Sequence, residues 1–475
     1  MNTVRKNYFF QVAYQILILI IPLITAPYIS RTIGPESIGI QTLTFNVSNY
    51  FVIFSMLGLA KYGNRCVSEI KDDKNALNEV FSELLFIHIC LAFVATAFYL
   101  SYAFLLGGAL KVYYLISGIY LIGTFFDINW LFFGLEEFKI TVIRNLFVKI
   151  VSTILIFVFI KSQADLWIYI LILASSQLLS YTFLWPYLRG RVSFKKISLR
   201  LAFKKHIKGL AILSIPIIAV SLYTSMDKIM IGTIYSETEL GFYESSEKII
   251  VLIMAIITSL GTVVMPRISY LSNKNDDADL IKTIDNSNYF NCFITCGCMF
   301  GIASIAKDFI PFFYGEDFFG SVVILEMLST VIIFSSLSDI SRNMYLIPKK
   351  KDNVYVIAVC SGAIINFILN FILIREYGGR GAAVATICAE VIVCTIQMVY
   401  SFRGIRLKKF YKHLIAFMVF GTIMFLINYF MVLNYSHMIN FIIKMLVGGV
   451  AYSLMSLCYY VVNKKISAKR RLSAE

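Results

Sequence analysis

Residues 84–106 read LLFIHICLAFVATAFYLSYAFLL, a run of 23 with no Asp, Glu, Lys or Arg. A helix of that length rises about 35 Å, enough to cross a hydrocarbon core about 30 Å thick. The pattern recurs in both directions along the chain. Fourteen apolar segments fall at about 8–29, 38–60, 79–106, 111–132, 141–160, 164–187, 210–232, 240–264, 286–306, 320–340, 353–374, 380–402, 411–432 and 438–462. The expected fold class is an all-α polytopic membrane protein. The short connections leave no room for a separate soluble catalytic domain.

Composition agrees. Of 475 residues, 59% are hydrophobic and 15% charged, against about 25% charged in soluble domains. The formal charge of +15 would suggest nucleic acid in a soluble protein, but its distribution says otherwise. Of 43 Lys and Arg, 33 fall at the termini and in alternate gaps, six in the remaining gaps and four inside apolar segments. That asymmetry is the positive-inside rule and predicts cytoplasmic termini in a cytoplasmic membrane. The first segment is too long for a signal-peptide core and is expected to remain as a helix.

The longest connection, 188–209, holds eight basic residues and no acidic one. Phe194, Ile197 and Leu201 follow helical spacing, extended by Leu199 and Phe203, so it reads as an amphipathic helix on the anionic leaflet. It separates an N-lobe at 1–187 from a C-lobe at 210–402, each of six segments. Residues 403–475 add two segments and a basic tail. An internal repeat supports two lobes: Ile33-Gly34 to Gly39 resembles Ile231-Gly232 to Gly241, the second copy being four residues longer. Segments 1 and 7 also carry Pro22, Pro27 and Pro216, which kink helices.

A charge at the bilayer centre costs about 2.5–3.5 kcal/mol on insertion scales, so charges inside segments carry the functional reading. Lys248 lies near mid-membrane with Glu244 one turn before it, spaced for an ion pair; Glu247 points elsewhere. Lys149 lies at similar depth, as a cation facing an anionic ligand. Asp227 and Lys228 sit near the outer end of segment 7. Asp127 lies about one turn inside the cytoplasmic end of segment 4, as a cavity carboxylate or as a side chain that caps a helix or pairs with Arg144. Glu390, mid-segment 12, reads as a coupling carboxylate or a helix contact. His88 reads as a hydrogen-bonded helix contact, and Lys444 as a side chain reaching toward the interface.

Nine cysteines show neither a disulfide framework nor metal-ligand spacing, and no cofactor is expected. No phosphate loop or hydrolase motif occurs. A glycosyltransferase or polymerase is disfavoured, and the protein is not expected to be an enzyme.

Four strings resemble Wzx-type polysaccharide flippases: DINWLFFGLEEFK at 127–139; MDKIMIG at 226–232 with ELGFYESSEK at 239–248; NFILN at 366–370 with YGGRGAAVAT at 377–386; and Ile33-Gly34-Pro35. The resemblance implies the multidrug/oligosaccharidyl-lipid/polysaccharide exporter superfamily, with two six-helix lobes around a central cavity. It implies flipping of undecaprenyl-diphosphate-linked repeat units for O-antigen or capsule. Cavity cations at Arg31, Lys228 and Lys248 would meet the diphosphate; Lys149 joins them on depth alone. It also implies as partners the lipid-linked oligosaccharide, membrane lipids, and a polymerase with its chain-length regulator. A cation-coupled small-molecule exporter and a lipid II-type flippase are the alternatives.

Overall fold

The computed structural model describes residues 2–273, 277–349, 351–401 and 407–472. It is helical throughout, with no strand among the described residues. Lys274, Lys350, Arg403 and Arg406, counted above toward the charge bias, lie outside them. Eleven helices among the described residues are long and apolar enough to cross a membrane. Two of these run 51 and 50 residues: Ile20–Ile70 takes in the end of segment 1 and all of segment 2, and Asp352–Ser401 takes in segment 11 and nearly all of segment 12. Segment 7 lies in Leu199–Met230, which is not among the eleven.

The chain divides into two compact units, Met1–Gly241 and Phe242–Glu475. The first begins with α1 (Asn2–Met56), which bends at Gly34, φ 75° and ψ 174°. That φ favours glycine, and Pro35 then suits the first turn of the resumed helix because its missing N–H would be unbonded there anyway. α2 (Leu59–Ile70), α3 (Lys74–Leu105), α4 (Lys111–Thr124), α5 (Asn129–Gly134), α6 (Phe138–Phe159), α7 (Leu166–Thr182) and α8 (Leu199–Met230) follow. A five-residue π-helical turn, Ile231–Tyr235, leads into α9 (Glu237–Asn273).

The short α5 carries the centre of the 127–139 string. Trp130 is 1% exposed and lies against Gly63 of α2, where a Cβ would fall 2.7 Å from the indole. Gly134 lies against Val67 in the same way. Small residues let the two backbones approach, and Phe81, Leu84, Leu131 and Leu184 complete a dry core around the indole. Lys71–Glu136 and Arg191–Glu137 ion pairs, 2.9 and 2.8 Å, pin the string's exit.

Residues 192–198 correct the amphipathic-helix expectation: they form no helix or other regular element. Asn78 and Ser82 on α3 explain this by accepting the Ser193 and Lys195 amides, at 2.7 and 2.9 Å. Residues 199–209 are helical but form the first turns of α8, with Ala202 and His206 buried and Leu201 64% exposed. The buried stripe is therefore not the predicted one. His206 anchors this end: Nε2 is 2.8 Å from Glu83 and Nδ1 2.9 Å from the Tyr62 hydroxyl. Burial opposes the charge on neighbouring Lys205, yet its hydrogen bond to Glu83 holds the ammonium pKa above its ordinary value.

The second unit holds the rest of α9, then α10 (Asp277–Phe313), α11 (Ser321–Ser329), α12 (Val331–Ser341), α13 (Asp352–Ser401), α14 (Leu407–Phe430) and α15 (His437–Leu472). α13 bends at Gly378, φ 54° and ψ −130°. Beyond the bend, buried Ala382, Ala383, Ala385 and Ala389 form a small-residue face. α10, α14 and α15 close around Phe293, Phe417, Tyr452 and Tyr459.

Candidate translocation site

Of the nine candidate residues, Arg31, Asp127, Lys149, Asp227 and Lys228 lie in the first unit. Glu244, Glu247, Lys248 and Glu390 lie in the second.

The most developed arrangement surrounds Lys149. On α6, Asn145, Lys149 and Ser152 recur at i, i+4 and i+7, one face of a helix. On α7, Ser176, Gln177 and Ser180 face them. With Ile21 of α1 they line a cavity of about 250 Å³. The hydroxyl protons are taken up by protein oxygens: Ser152 donates to the Lys149 carbonyl at 3.0 Å, Ser176 to the Leu173 carbonyl at 2.8 Å and Ser180 to Asn145 Oδ1 at 2.9 Å. Gln177 Nε2 donates to the Tyr181 hydroxyl at 2.9 Å.

A second cavity, about 260 Å³, shares Val148, Ser152 and Ser176 with the first, and its remaining lining includes Phe147, Val151, Leu155 and Leu179. A polar, cation-bearing niche and an apolar one thus adjoin between α6 and α7.

Asp127 stands at the end of a polar chain that leads to this site. Its Oδ1 accepts the Asn129 amide at 2.9 Å and the Asn129 side chain at 2.7 Å, at the start of α5, whose N-cap is Ile128. Arg144 donates to Asn129 Oδ1 at 3.1 Å and Asn145 Oδ1 at 2.6 Å. Asn145 lines the Lys149 cavity. Asp127 thus holds the first amide of α5 and is linked to Arg144 through Asn129.

Asp227 is buried and accepts the Lys228 amide at 2.8 Å. Lys228 is half-buried and Arg31 exposed. In the second unit the expected Glu244–Lys248 pair is present at 3.1 Å. Glu390 accepts from Ser335 at 2.7 Å, and Glu247 is half-buried.

Two expectations change. Lys444, expected to reach toward the interface, ends in an ion pair with buried Asp308 of α10 at 2.7 Å, beside Asn440 at 3.3 Å. His88 is 1% exposed, and neither ring nitrogen has a hydrogen-bond partner among the described residues. Among those residues no group of three His, Cys, Asp or Glu could hold a metal ion.

Sequence reasoning missed Asn145, Ser152, Ser176, Gln177 and Ser180 because it searched for charge. Their i, i+4, i+7 spacing on one segment and i, i+1, i+4 on the next was the available signal. It also missed Asp308, which lies two residues beyond the end of segment 9, where a carboxylate passes for a loop residue.

Membrane-crossing helices bent at glycine, carrying ionisable and hydroxylated side chains along their buried faces, define a multi-pass membrane protein. The chain belongs to the polysaccharide biosynthesis protein family, which residues 4–272 match. It is 22% identical over 412 residues to a protein designated a candidate O-antigen transporter in Escherichia coli K12, covering 84% of this chain and 98% of that one. It is also 22% identical over 247 residues to a probable low-salt glycan biosynthesis flippase of Haloferax volcanii, about half of each chain. Its fold is similar to the lipid II flippase MurJ in an inward closed conformation: TM-score 0.74, 15% identity, covering 95% of this chain and 99% of that one. It is likewise similar to an inward-facing multidrug MATE transporter, at TM-score 0.63, 15% identity, and 82% and 95% coverage. These relatives are transporters and flippases, not enzymes.

Proposed function

We propose that this protein flips undecaprenyl-diphosphate-linked oligosaccharide repeat units across the cytoplasmic membrane, supplying O-antigen or capsule synthesis. One observation carries the reading. The polar Lys149 niche and the apolar niche beside it share Val148, Ser152 and Ser176, a pairing suited to a cargo with a polar head and a greasy anchor. The named roles of the Escherichia coli and Haloferax volcanii relatives support a glycan cargo over a small-molecule drug.

On this reading the chain crosses the membrane fourteen times, both termini cytoplasmic. The bent helices α1 and α13 each cross twice, and α8 crosses once. Six-segment lobes at 1–187 and 210–402 work by alternating access, with 188–209 as their basic cytoplasmic link. Arg31, Lys149, Lys228 and Lys248 offset the desolvation of the anionic head, each charge-assisted contact contributing about 1.5–3 kcal/mol. Asp127, Asp227, Glu244, Glu247 and Glu390 tune that charge or carry a coupling ion. A polysaccharide polymerase and chain-length regulator take the flipped units onward.

Depletion of the protein tests this. Surface polysaccharide should disappear while lipid-linked repeat units accumulate on the inner leaflet, shielded from an external lectin. Normal surface polysaccharide with unchanged drug resistance would refute the glycan cargo, and drug sensitisation would favour the exporter reading.

A further inference from the structure

The niche between α6 and α7 has a chemistry finer than its charge. Ser152, Ser176 and Ser180 each have one hydroxyl proton, and each spends it on a protein oxygen. What these hydroxyls retain for an occupant of the cavity is lone pairs. Gln177 commits one amide proton to Tyr181 and has a second beside its carbonyl oxygen, and Asn145, whose Oδ1 accepts from Ser180 and Arg144, brings a side-chain amide as well. The wall therefore mixes serine and carbonyl acceptors with amide and ammonium donors.

A diphosphate at neutral pH brings only acceptors. It could use the ammonium and amide donors but would leave the serine lone pairs without a donor, and unpaired acceptors in a desolvated site are costly. A pyranose ring brings several hydroxyl donors and, through its ring and hydroxyl oxygens, acceptors for Lys149. We infer that the Lys149, Ser176, Gln177 and Ser180 niche is a sugar-ring subsite that reads the hydroxyls of the glycan, and that the diphosphate is held elsewhere. The inference rests on the flippase reading and assigns one part of its cargo to one place. It also alters the role given to Lys149: the ammonium is a hydrogen-bond donor to sugar oxygens more than a counter-ion.

The test uses the full-length protein in nanodiscs, with lipid retention read by native mass spectrometry. The probes are undecaprenyl diphosphate, the same lipid carrying a single hexose, and undecaprenol. The wild type should retain the hexosyl lipid about tenfold better than the bare diphosphate. S176A/S180A, and separately Q177L, should erase most of that preference and leave retention of the bare diphosphate unchanged. Unchanged melting temperatures identify variants that remain folded, and two independent variants guard against one that is not. A wild type without preference for the hexosyl lipid, variants that keep the preference, or variants that lose both diphosphate lipids equally would overturn the inference. A wild type that retains neither diphosphate lipid above undecaprenol would instead remove the flippase reading beneath it.

Discussion

Gly39 packs directly on the backbone carbonyl of Glu237, and Gly241 packs in the same way on the carbonyl of Pro35. The contact is reciprocal: Pro35 to Gly39 and Glu237 to Gly241 each span five residues, and each presents its first carbonyl to the other's last glycine. These are corresponding parts of the two repeat copies. A Cβ at either glycine would overlap the facing carbonyl oxygen. Backbone cannot yield as a flexible side chain can, and overpacking of this kind costs about 1–3 kcal/mol. G39A and G241A should each part these segments and cut surface polysaccharide at least severalfold at normal membrane levels. A quantitative polysaccharide blot beside an immunoblot of the membrane fraction checks this; full export in both variants would show the close approach to be dispensable.

Two other glycines should separate conformation from space. Gly34 needs its positive φ but has nothing within 4 Å of a Cβ, whereas Gly63 faces the Trp130 ring. G34A should cost about 1–2 kcal/mol, the strain of left-handed backbone. G63A should cost as much or more by displacing an aromatic anchor, and W130L should recover part of the G63A loss. Thermal unfolding of the purified variants in detergent measures all three, and additive losses for G63A and W130L would contradict a shared contact.

The Asp308–Lys444 pair bridges α10 and α15 with both side chains largely buried. Removing one partner strands a buried charge, an effect of about 3–5 kcal/mol, while replacing both is often neutral. K444M should therefore lower the melting temperature sharply, and D308L/K444M should restore it. Equal destabilisation by the single and double variants would mean that the pair is uncoupled.

The irregular stretch 192–198 should be held by two side chains. N78A/S82A removes the acceptors of the Ser193 and Lys195 amides. Faster tryptic cutting at Lys195 or Lys196 is the expected readout, with the wild-type rate returning in N78D/S82T. An unchanged rate in N78A/S82A would show that the segment is docked by Phe194 on Phe81 instead.

Much of this architecture is visible in the residues, and the exceptions have physical causes. Runs such as 84–106 announce helices because a bilayer demands about 20 apolar residues in succession. Gly34 and Gly378 fall in the gaps between expected segments, yet gap length alone does not distinguish a loop from a single non-helical residue at which two helices meet. Residues 192–198 mislead because apolar periodicity reports what could be buried, while Asn78 and Ser82, over a hundred positions earlier, decide the backbone. Glu244–Lys248 is legible because both lie on one helix. Asp308–Lys444 is not, because the partners come from helices 136 residues apart. The Lys149 niche is half legible: the cation stands out in an apolar segment, but its serines and amides pass as ordinary helix residues.

The central claim is that Lys149 and its niche handle the polar head of a lipid-linked glycan. The most direct measurement is flipping in proteoliposomes. Purified protein is reconstituted with undecaprenyl-diphosphate-linked oligosaccharide, and the glycan reaching the outer leaflet is quantified by lectin or enzymatic access. The wild type should expose the glycan far faster than empty vesicles. K149M should lose at least tenfold, the scale of one charge-assisted hydrogen bond, while K149R keeps most of the rate. Equal rates for wild type and K149M, or no flipping of this lipid by the wild type, would contradict the account.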